Sequence, residues 1–268
     1  MINKLELQML EQLKGGECSI ERALLIASGL QSERAVAGYQ RKLDQIQHDF
    51  GQERASRGIP LGDDYLVAEA LFEYLYYKKP RRFKDNARFL PEVVDNQLSP
   101  HKFKTIGNCV GLTSLYSVLG VRHGLDLAIL RDFGHLLSLL NWNGRKIVIE
   151  NTDRDGFDLD QKDESDFVIY QYEQSSLISL VSSTFNSRGR SKDSKKDYAG
   201  AIDDYSVALE LDPHDAQVYI NRAIARESMR DIPGVCSDYF RAEELILENN
   251  PSFRGSNGNQ ETLAGELN

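Results

Sequence analysis

Cysteine is scarce in this sequence, and the few cysteines present lie far apart. The 268-residue chain contains three of them, Cys18, Cys109 and Cys236. An odd and scattered set does not form a disulfide framework, and it is typical of proteins kept in a reducing compartment. Histidine is also sparse, with five residues, and no His/Cys pair has the spacing of a zinc site. We therefore expect a cytoplasmic protein with no structural metal and no cofactor.

The sequence also lacks an apolar run long enough to cross a membrane, which takes about 20 residues. Its N-terminal segment carries charges throughout and has no apolar core of the kind found in signal peptides. Acidic residues outnumber basic ones by 41 to 32, for a formal net charge of -9. This balance disfavours a nucleic-acid partner, because phosphate backbones attract basic surfaces. Two basic runs, Lys78–Lys84 and Arg188–Lys196, are interpreted as solvated loops or linkers.

Apolar residues at helical spacing dominate the first third of the chain. They predict helices over 3–13, 20–28, 33–50 and 64–77. A further helix is predicted from Cys109 to about His123, with one buried face and with Gly124 closing it. The pattern then changes to short apolar segments bounded by turn residues, which predict strands over 126–131, 135–142, 145–150 and 167–172.

An internal repeat occupies the C-terminal part of the chain. Ala201, Asp204, Tyr205 and Ala208 are followed 34 residues later by Val235, Asp238, Tyr239 and Ala242. This period is that of the tetratricopeptide repeat. The second copy is weaker, because Pro251 comes four residues late, and the Ser- and Lys-rich segment 182–196 is a poor candidate for the helix expected before Tyr198. Cys236 aligns with Ile202 and is expected in the core.

Cys109 combines a reactive side chain with a favourable position. It follows Asn108, a good N-cap residue, at the start of the predicted helix. The unpaired N–H groups and the positive end of the helix dipole favour a thiolate there. The amide of Cys109 and the side chain of Asn108 are the candidate donors to an oxyanion. A buried, inert cysteine is the alternative interpretation.

His135 lies on the first strand of a hairpin whose turn is Asn143-Gly144, a strong hairpin signal. With a two-residue turn, Leu137 faces Glu150 and His135 faces Thr152. Alternation then places His135 and Glu150 on one face as diagonal neighbours, within reach of a long side chain.

A nucleophile, a base and an orienting group form a catalytic set when they lie together in this order. The candidate catalytic residues are Cys109, His135 and Glu150. A three-residue turn or a bulge would reverse the parity of the hairpin, so Asn151 and then Asp153 are the alternates for the third role.

Three segments resemble the transglutaminase-like cysteine protease superfamily. They are Gly107–Leu127 (GNCVGLTSLYSVLGVRHGLDL), Gly134–Leu140 (GHLLSLL) and Lys146–Thr152 (KIVIENT). More narrowly, the chain resembles bacterial proteins that join such a domain to a C-terminal tetratricopeptide repeat. The resemblance implies an α+β, papain- and transglutaminase-like domain, in which the nucleophile helix packs on a small antiparallel sheet.

The same resemblance implies roles for individual residues. Cys109 would be the nucleophile and His135 the base. The superfamily pattern places the orienting residue at Asn151, whereas the narrower branch places an acid at Glu150. The chain departs from the broader pattern at Leu136 and Leu137, where an aromatic residue would follow the histidine.

The expected organisation has four parts: a helical N-terminal region over 1–62, a transglutaminase-like core over 63–178, repeats over 179–252 and a disordered tail over 253–268. Two functions follow. The first is a thiol-dependent amide hydrolase or acyl transferase that acts on a protein or peptide. The second is a catalytically silent scaffold, whose repeats over 197–252 bind a protein partner. Neither function involves a nucleic acid or a membrane.

Overall fold

The structure, a computed structural model, describes residues 2–84, 88–132, 134–159 and 173–249. It combines many helices with a small antiparallel sheet, so the α+β class expected from the sequence is confirmed. The predicted strand over 167–172 and the predicted disordered tail over 253–268 lie outside the described residues. In chain order the elements are α1 (Lys4–Lys14), α2 (Ile20–Ala27), α3 (Glu33–Ser56), α4 (Asp64–Lys78), α5 (Leu90–Leu98), α6 (Cys109–Arg122), β1 (Leu127–Asp132), β2 (His135–Trp142), β3 (Arg145–Ile149), β4 (Glu173–Ser175), α7 (Ile178–Asp193), α8 (Tyr198–Leu211), α9 (Ala216–Ser228) and α10 (Ile232–Asn249).

The chain divides into two compact units, Met1–Ser187 and Arg188–Asn268. The first unit contains the N-terminal helices together with the sheet. Arg122 at the end of α6 links them, because its Nε donates to Glu21 of α2 at 2.6 Å and its Nη1 donates to Asp44 of α3 at 2.8 Å. The predicted N-terminal region and core therefore belong to one packed unit.

Helix α6 is the central helix of the first unit. Asn108 caps it, with its side-chain oxygen accepting from the amide of Gly111 at 3.1 Å. Every residue from Gly111 to Gly120 is buried, so the helix is enclosed on all sides rather than on the one face that the sequence predicts. Tyr116 adds a hydrogen bond from its hydroxyl to the carbonyl of Ala68 in α4, at 3.0 Å. The surrounding core thus fixes the direction of α6 and the position of its first residue.

The four strands form an antiparallel sheet in the order β3-β2-β1-β4. Trp142 pairs with Arg145 across a two-residue turn in which Asn143 has φ 48° and Gly144 has φ 79°. Positive φ at both positions defines a type I′ turn, which suits Asn-Gly. The predicted register of the hairpin is confirmed. On one side of β2, Thr113 of α6 donates to the carbonyl of Leu136 at 3.2 Å.

The second unit repeats one structural element at the spacing seen in the sequence. Arg188 of α7 binds Asp204 of α8, with Nη2 2.5 Å from Oδ1. Thirty-four residues later, Arg222 of α9 binds Asp238 of α10, with Nη2 2.7 Å from Oδ1. Both carboxylates are buried, so each helix pair is joined by an ion pair that is largely shielded from water.

Three sequence expectations about the repeat region were wrong. The segment 182–196 does not interrupt the repeat, because α7 is helical from Ile178 to Asp193. Its cations Arg188 and Lys192 bind the buried Asp204, so this basic run is not a solvated linker.

Cys236 is exposed rather than in the core. It lies on α10 beside other exposed apolar residues, Ile232, Tyr239 and Phe240. Within the described residues, α10 is the last helix of the chain, and no following helix covers this side as a further repeat would.

Among all the helices that the structure describes, none is long and apolar enough to cross a membrane.

The Arg188–Asp204 ion pair makes a testable contribution to stability. Replacing Asp204 by alanine leaves Arg188 and Lys192 without their shared carboxylate, and removing one partner of a buried pair costs roughly 3–5 kcal/mol. We expect the free energy of unfolding of the second unit, measured by urea denaturation followed by circular dichroism, to fall by about this amount. Glu243→Ala, at an exposed position of α10, is the control and should change it by less than about 0.5 kcal/mol. Equal effects of the two variants would contradict the prediction.

Candidate active site

The sulfur of Cys109 lies at the start of α6, beside the turn that joins β1 to β2. Its Sγ is 3.8 Å from the carbonyl oxygen of Gly134, and the residue is half-buried. Gly134 has φ 94°, a value that favours glycine, and it precedes His135 directly. The turn therefore places the backbone just before β2 against the start of α6. Cys109 is therefore not buried deep in the core, as the alternative interpretation would require.

The imidazole of His135 joins the two other candidate residues. Its Nε2 contacts Oε2 of Glu150. The interaction of the ring with Cys109 is the largest cause of the raised pKa of His135. Since Nε2 is engaged by the carboxylate, Nδ1 is the ring nitrogen left for the sulfur. The structure thus brings Cys109, His135 and Glu150 together in the order that the sequence predicts.

Glu150 is held in place from several directions. Its Oε1 accepts from the backbone amide of Thr152 at 2.8 Å and from the hydroxyl of Thr152 at 2.7 Å. Its own amide donates to the carbonyl of Gly156 at 2.8 Å. Only 15% of the Glu150 side chain is exposed, against 34% for His135. The sequence reasoning gave Thr152 no role, although parity had already placed it on the same face as Glu150.

Asn151, the second choice for the orienting role, points away from His135. Its Nδ2 donates to Ser138 Oγ at 2.9 Å and to Thr113 Oγ1 at 3.3 Å, on the side of the sheet that faces α6. Its carbonyl accepts from the hydroxyl of Tyr76 at 3.1 Å. Asn151 therefore joins α6 to the sheet. Sequence reasoning missed this buried polar cluster because its members are far apart in the chain.

Asp153, the third choice, also lies apart from the histidine. Its carboxylate accepts from the amide of Asp155 at 3.0 Å, within the turn that follows β3. This contact is local to the turn.

The three candidate residues shift one another's protonation. The pKa of His135 rises from its ordinary 6.5 to about 10, first because of the hydrogen bond with Cys109 and then because of the hydrogen bond with Glu150. Burial acts on the pKa of Glu150 in the upward direction, but the hydrogen bonds from His135 and Thr152 outweigh it, so that pKa lies below its usual 4.5. At neutral pH the geometry thus favours a protonated imidazole next to an ionised carboxylate.

The start of α6 also offers donors for a developing negative charge. The first N–H groups of a helix have no intrahelical partner. The oxygens of Asn108 accept from Gly111 through the side chain and from Leu112 through the backbone. The amides of Cys109 and Val110 belong to this first turn. Because the Asn108 side-chain oxygen is used for capping, the role in oxyanion binding proposed for this residue would fall to its Nδ2.

The segment before the nucleophile is anchored by buried polar groups. Asn96 Nδ2 donates to the carbonyl of Ile106 at 2.9 Å, and the amide of Ile106 donates to the carbonyl of Arg82 at 2.8 Å. Arg82 is itself buried and donates to Gln97 Oε1 at 3.1 Å. The Lys78–Lys84 run is therefore not simply a solvated loop, since part of it supports the approach to Cys109.

Metal-ligating side chains do not cluster in the part of the chain that the structure describes, where no group of three or more His, Cys, Asp or Glu residues could hold an ion. Comparisons of the chain with protein-family models, with curated proteins and with solved structures gave no match. The proposed function therefore rests on the geometry of the site.

The protonation of His135 can be measured directly by NMR on its ring nitrogens. We expect a pKa near 10, well above that of His123, which burial lowers from 6.5 and which serves as a reference within the same chain. Since the folded-state pKa lies above the unfolded one, protonation of His135 stabilises the fold fully below pH 6.5, and this contribution is lost as the pH rises towards 10. Cys109→Ser should lower the His135 pKa, because the thiol is its largest cause. An unchanged pKa would contradict the contact.

Gly156 offers a way to disturb Glu150 without changing it. A Cβ at position 156 would fall against the carbonyl oxygen of Glu150 and lie 2.8 Å from Glu150 Cβ. We expect Gly156→Ala to displace the carboxylate and lower the pKa of His135, measured by the same NMR titration. Gly51→Ala is the matched control, because a Cβ there meets nothing within 4 Å. A His135 pKa that is equal in both variants would show that Glu150 is not held in this way.

Proposed function

We propose that this chain is a thiol-dependent amide hydrolase or acyl transferase with a papain- and transglutaminase-like core. The observation that carries the proposal is the position of His135, whose ring lies between the sulfur of Cys109 and the carboxylate of Glu150. Such a series activates a sulfur nucleophile in cysteine-dependent acyl transfer. The sulfur also lies at a helix N-terminus, where the positive end of the helix dipole faces the reacting carbonyl oxygen.

The proposed reaction begins with attack of the Cys109 sulfur on the carbonyl carbon of a protein or peptide amide. The carbonyl oxygen becomes an oxyanion, which the amides of Cys109 and Val110 are placed to bind. His135 then gives its proton to the leaving nitrogen, and a thioester on Cys109 remains. Attack by water completes hydrolysis, whereas attack by an amine completes acyl transfer, and in both cases His135 accepts the proton of the attacking group.

Glu150 acts as a positioning residue in this scheme. Its contact with Nε2 turns Nδ1 towards the sulfur and stabilises the protonated ring. The two hydrogen bonds from Thr152 prevent the carboxylate from rotating away. We assign the helix pairs of the second unit to tetratricopeptide-like repeats, supported by the recurrence of the Arg–Asp pair at a spacing of 34 residues.

An activated ester tests the proposal without knowledge of the natural substrate. With p-nitrophenyl acetate we expect a burst of nitrophenolate and one acetyl group on the peptide that contains Cys109. Cys109→Ala should abolish both. His135→Ala should slow acetylation by roughly 10²–10⁴-fold, the usual contribution of a general acid-base group. The acetylation rate of Glu150→Gln should lie between that of His135→Ala and that of the unchanged chain.

Cys236 serves as the control thiol in the same experiment, because it is exposed and lies in the second unit. Acetylation of Cys109 that is no faster than that of Cys236 would contradict the enzymatic proposal. It would favour the second candidate function, a catalytically silent scaffold. The exposed apolar residues Ile232, Tyr239 and Phe240 on α10 are the observation that supports a role of the repeats in protein binding.

A further inference from the structure

The surface next to the nucleophile carries aromatic and basic side chains. Tyr77, Phe83 and Phe103 are 69%, 51% and 65% exposed. In the part of the first unit that the structure describes, all other aromatic side chains are at least partly buried. Exposed cations lie among them, including Arg81, Lys102 and Lys104. We call these six residues the aromatic-basic patch.

Four members of the patch are in contact with each other across two segments of the chain. Lys102 Nζ lies 5.9 Å from the centre of the Tyr77 ring, and the guanidinium of Arg81 lies 5.4 Å from that of Phe103. Buried Lys79 joins the two segments, since its Nζ donates to the carbonyls of Ser99 at 2.5 Å and His101 at 2.7 Å. The patch is therefore a built surface and not two independent loops.

Several cations elsewhere in the first unit are paired within the chain. Arg22, Lys42 and Arg57 each bind a carboxylate of this chain. Arg81, Lys102 and Lys104 have no carboxylate partner among the described residues, although the chain has a net charge of -9. They remain available to negative charges from outside the chain, and their neighbouring aromatic rings add apolar contact area.

The patch lies next to Cys109 through the backbone. Phe83 forms a parallel bridge with Gly107, and the amide of Lys84 donates to the carbonyl of Gly107 at 2.8 Å. Gly107 precedes Cys109 by two residues. The patch therefore borders the segment that leads into Cys109.

From these observations we infer that the aromatic-basic patch binds an acidic segment of the polypeptide substrate of Cys109. This inference rests on the proposed function: the ligand is taken to be a polypeptide, rather than another negatively charged molecule, because the proposed site acts on amides. Carboxylates of the segment would pair with Arg81, Lys102 and Lys104, while its backbone and apolar groups would contact the three aromatic rings. Acidic substrates would thus be preferred over neutral ones.

The binding test uses the full chain with Cys109→Ser, so that it does not depend on catalysis. A fluorescein-labelled poly-L-glutamate peptide is titrated and followed by anisotropy. We expect the triple variant Arg81→Glu, Lys102→Glu, Lys104→Glu to weaken binding on the order of tenfold, as expected for several exposed charge pairs. The control is Lys4→Glu, Arg34→Glu, Arg41→Glu, which makes the same charge change at other exposed positions and should weaken binding less than about twofold.

Three results would overturn the inference: no binding of poly-L-glutamate, equal losses in the two triple variants, or a tighter, patch-dependent complex with an oligothymidylate of equal length or with phosphatidylserine vesicles. A second measurement tests the position of the patch. In the chain with Cys109 intact, poly-L-glutamate should slow alkylation of Cys109 and not that of Cys236. Binding without this protection would also overturn the inference. Failure of ester acetylation, by contrast, would contradict the proposed function and leave the binding result unaffected.

Discussion

The contact series from Cys109 through His135 to Glu150 depends on two separate parts of the fold. The sulfur is placed by α6, whose enclosed body and Asn108 cap set the position of its first residue. The carboxylate is placed by the β2-β3 hairpin, whose type I′ turn sets which side chains share a face. His135 belongs to the hairpin but lies directly after the β1-β2 turn, where Gly134 contacts the sulfur. A change in either part would separate the ring from one of its two partners.

The links between these two parts are polar and buried. Asn151 connects Thr113 of α6 with Ser138 of β2, and Thr113 also donates to the backbone of β2. Buried polar groups need specific partners, so such a cluster favours one relative position of helix and sheet over others of similar apolar burial. The broad superfamily pattern assigns orientation of the histidine to Asn151. In this chain Asn151 instead connects α6 with the sheet.

Local chemistry allowed much of this site to be predicted. Asn143-Gly144 fixes a turn of two residues, and alternation then places Glu150 rather than Asn151 on the face of His135. The cap at Asn108 and the start of α6 at Cys109 follow from similarly local rules. Contacts between distant segments could not be predicted in this way. The Ser- and Lys-rich segment of α7 has weak helix propensity, but Arg188 and Lys192 become favourable once Asp204 is buried beside them. Cys236 is exposed on α10, which the alignment of the repeats does not reveal.

In the proposed function, His135 activates the sulfur of Cys109. This activation can be measured as the rate of alkylation by iodoacetamide at Cys109 and at Cys236, followed as a function of pH by mass spectrometry of the two peptides. We expect that at pH 6 Cys109 reacts faster than Cys236 although it is less exposed, and that His135→Ala removes the difference. Parallel pH profiles for the two cysteines in the unchanged chain would show that His135 does not activate Cys109.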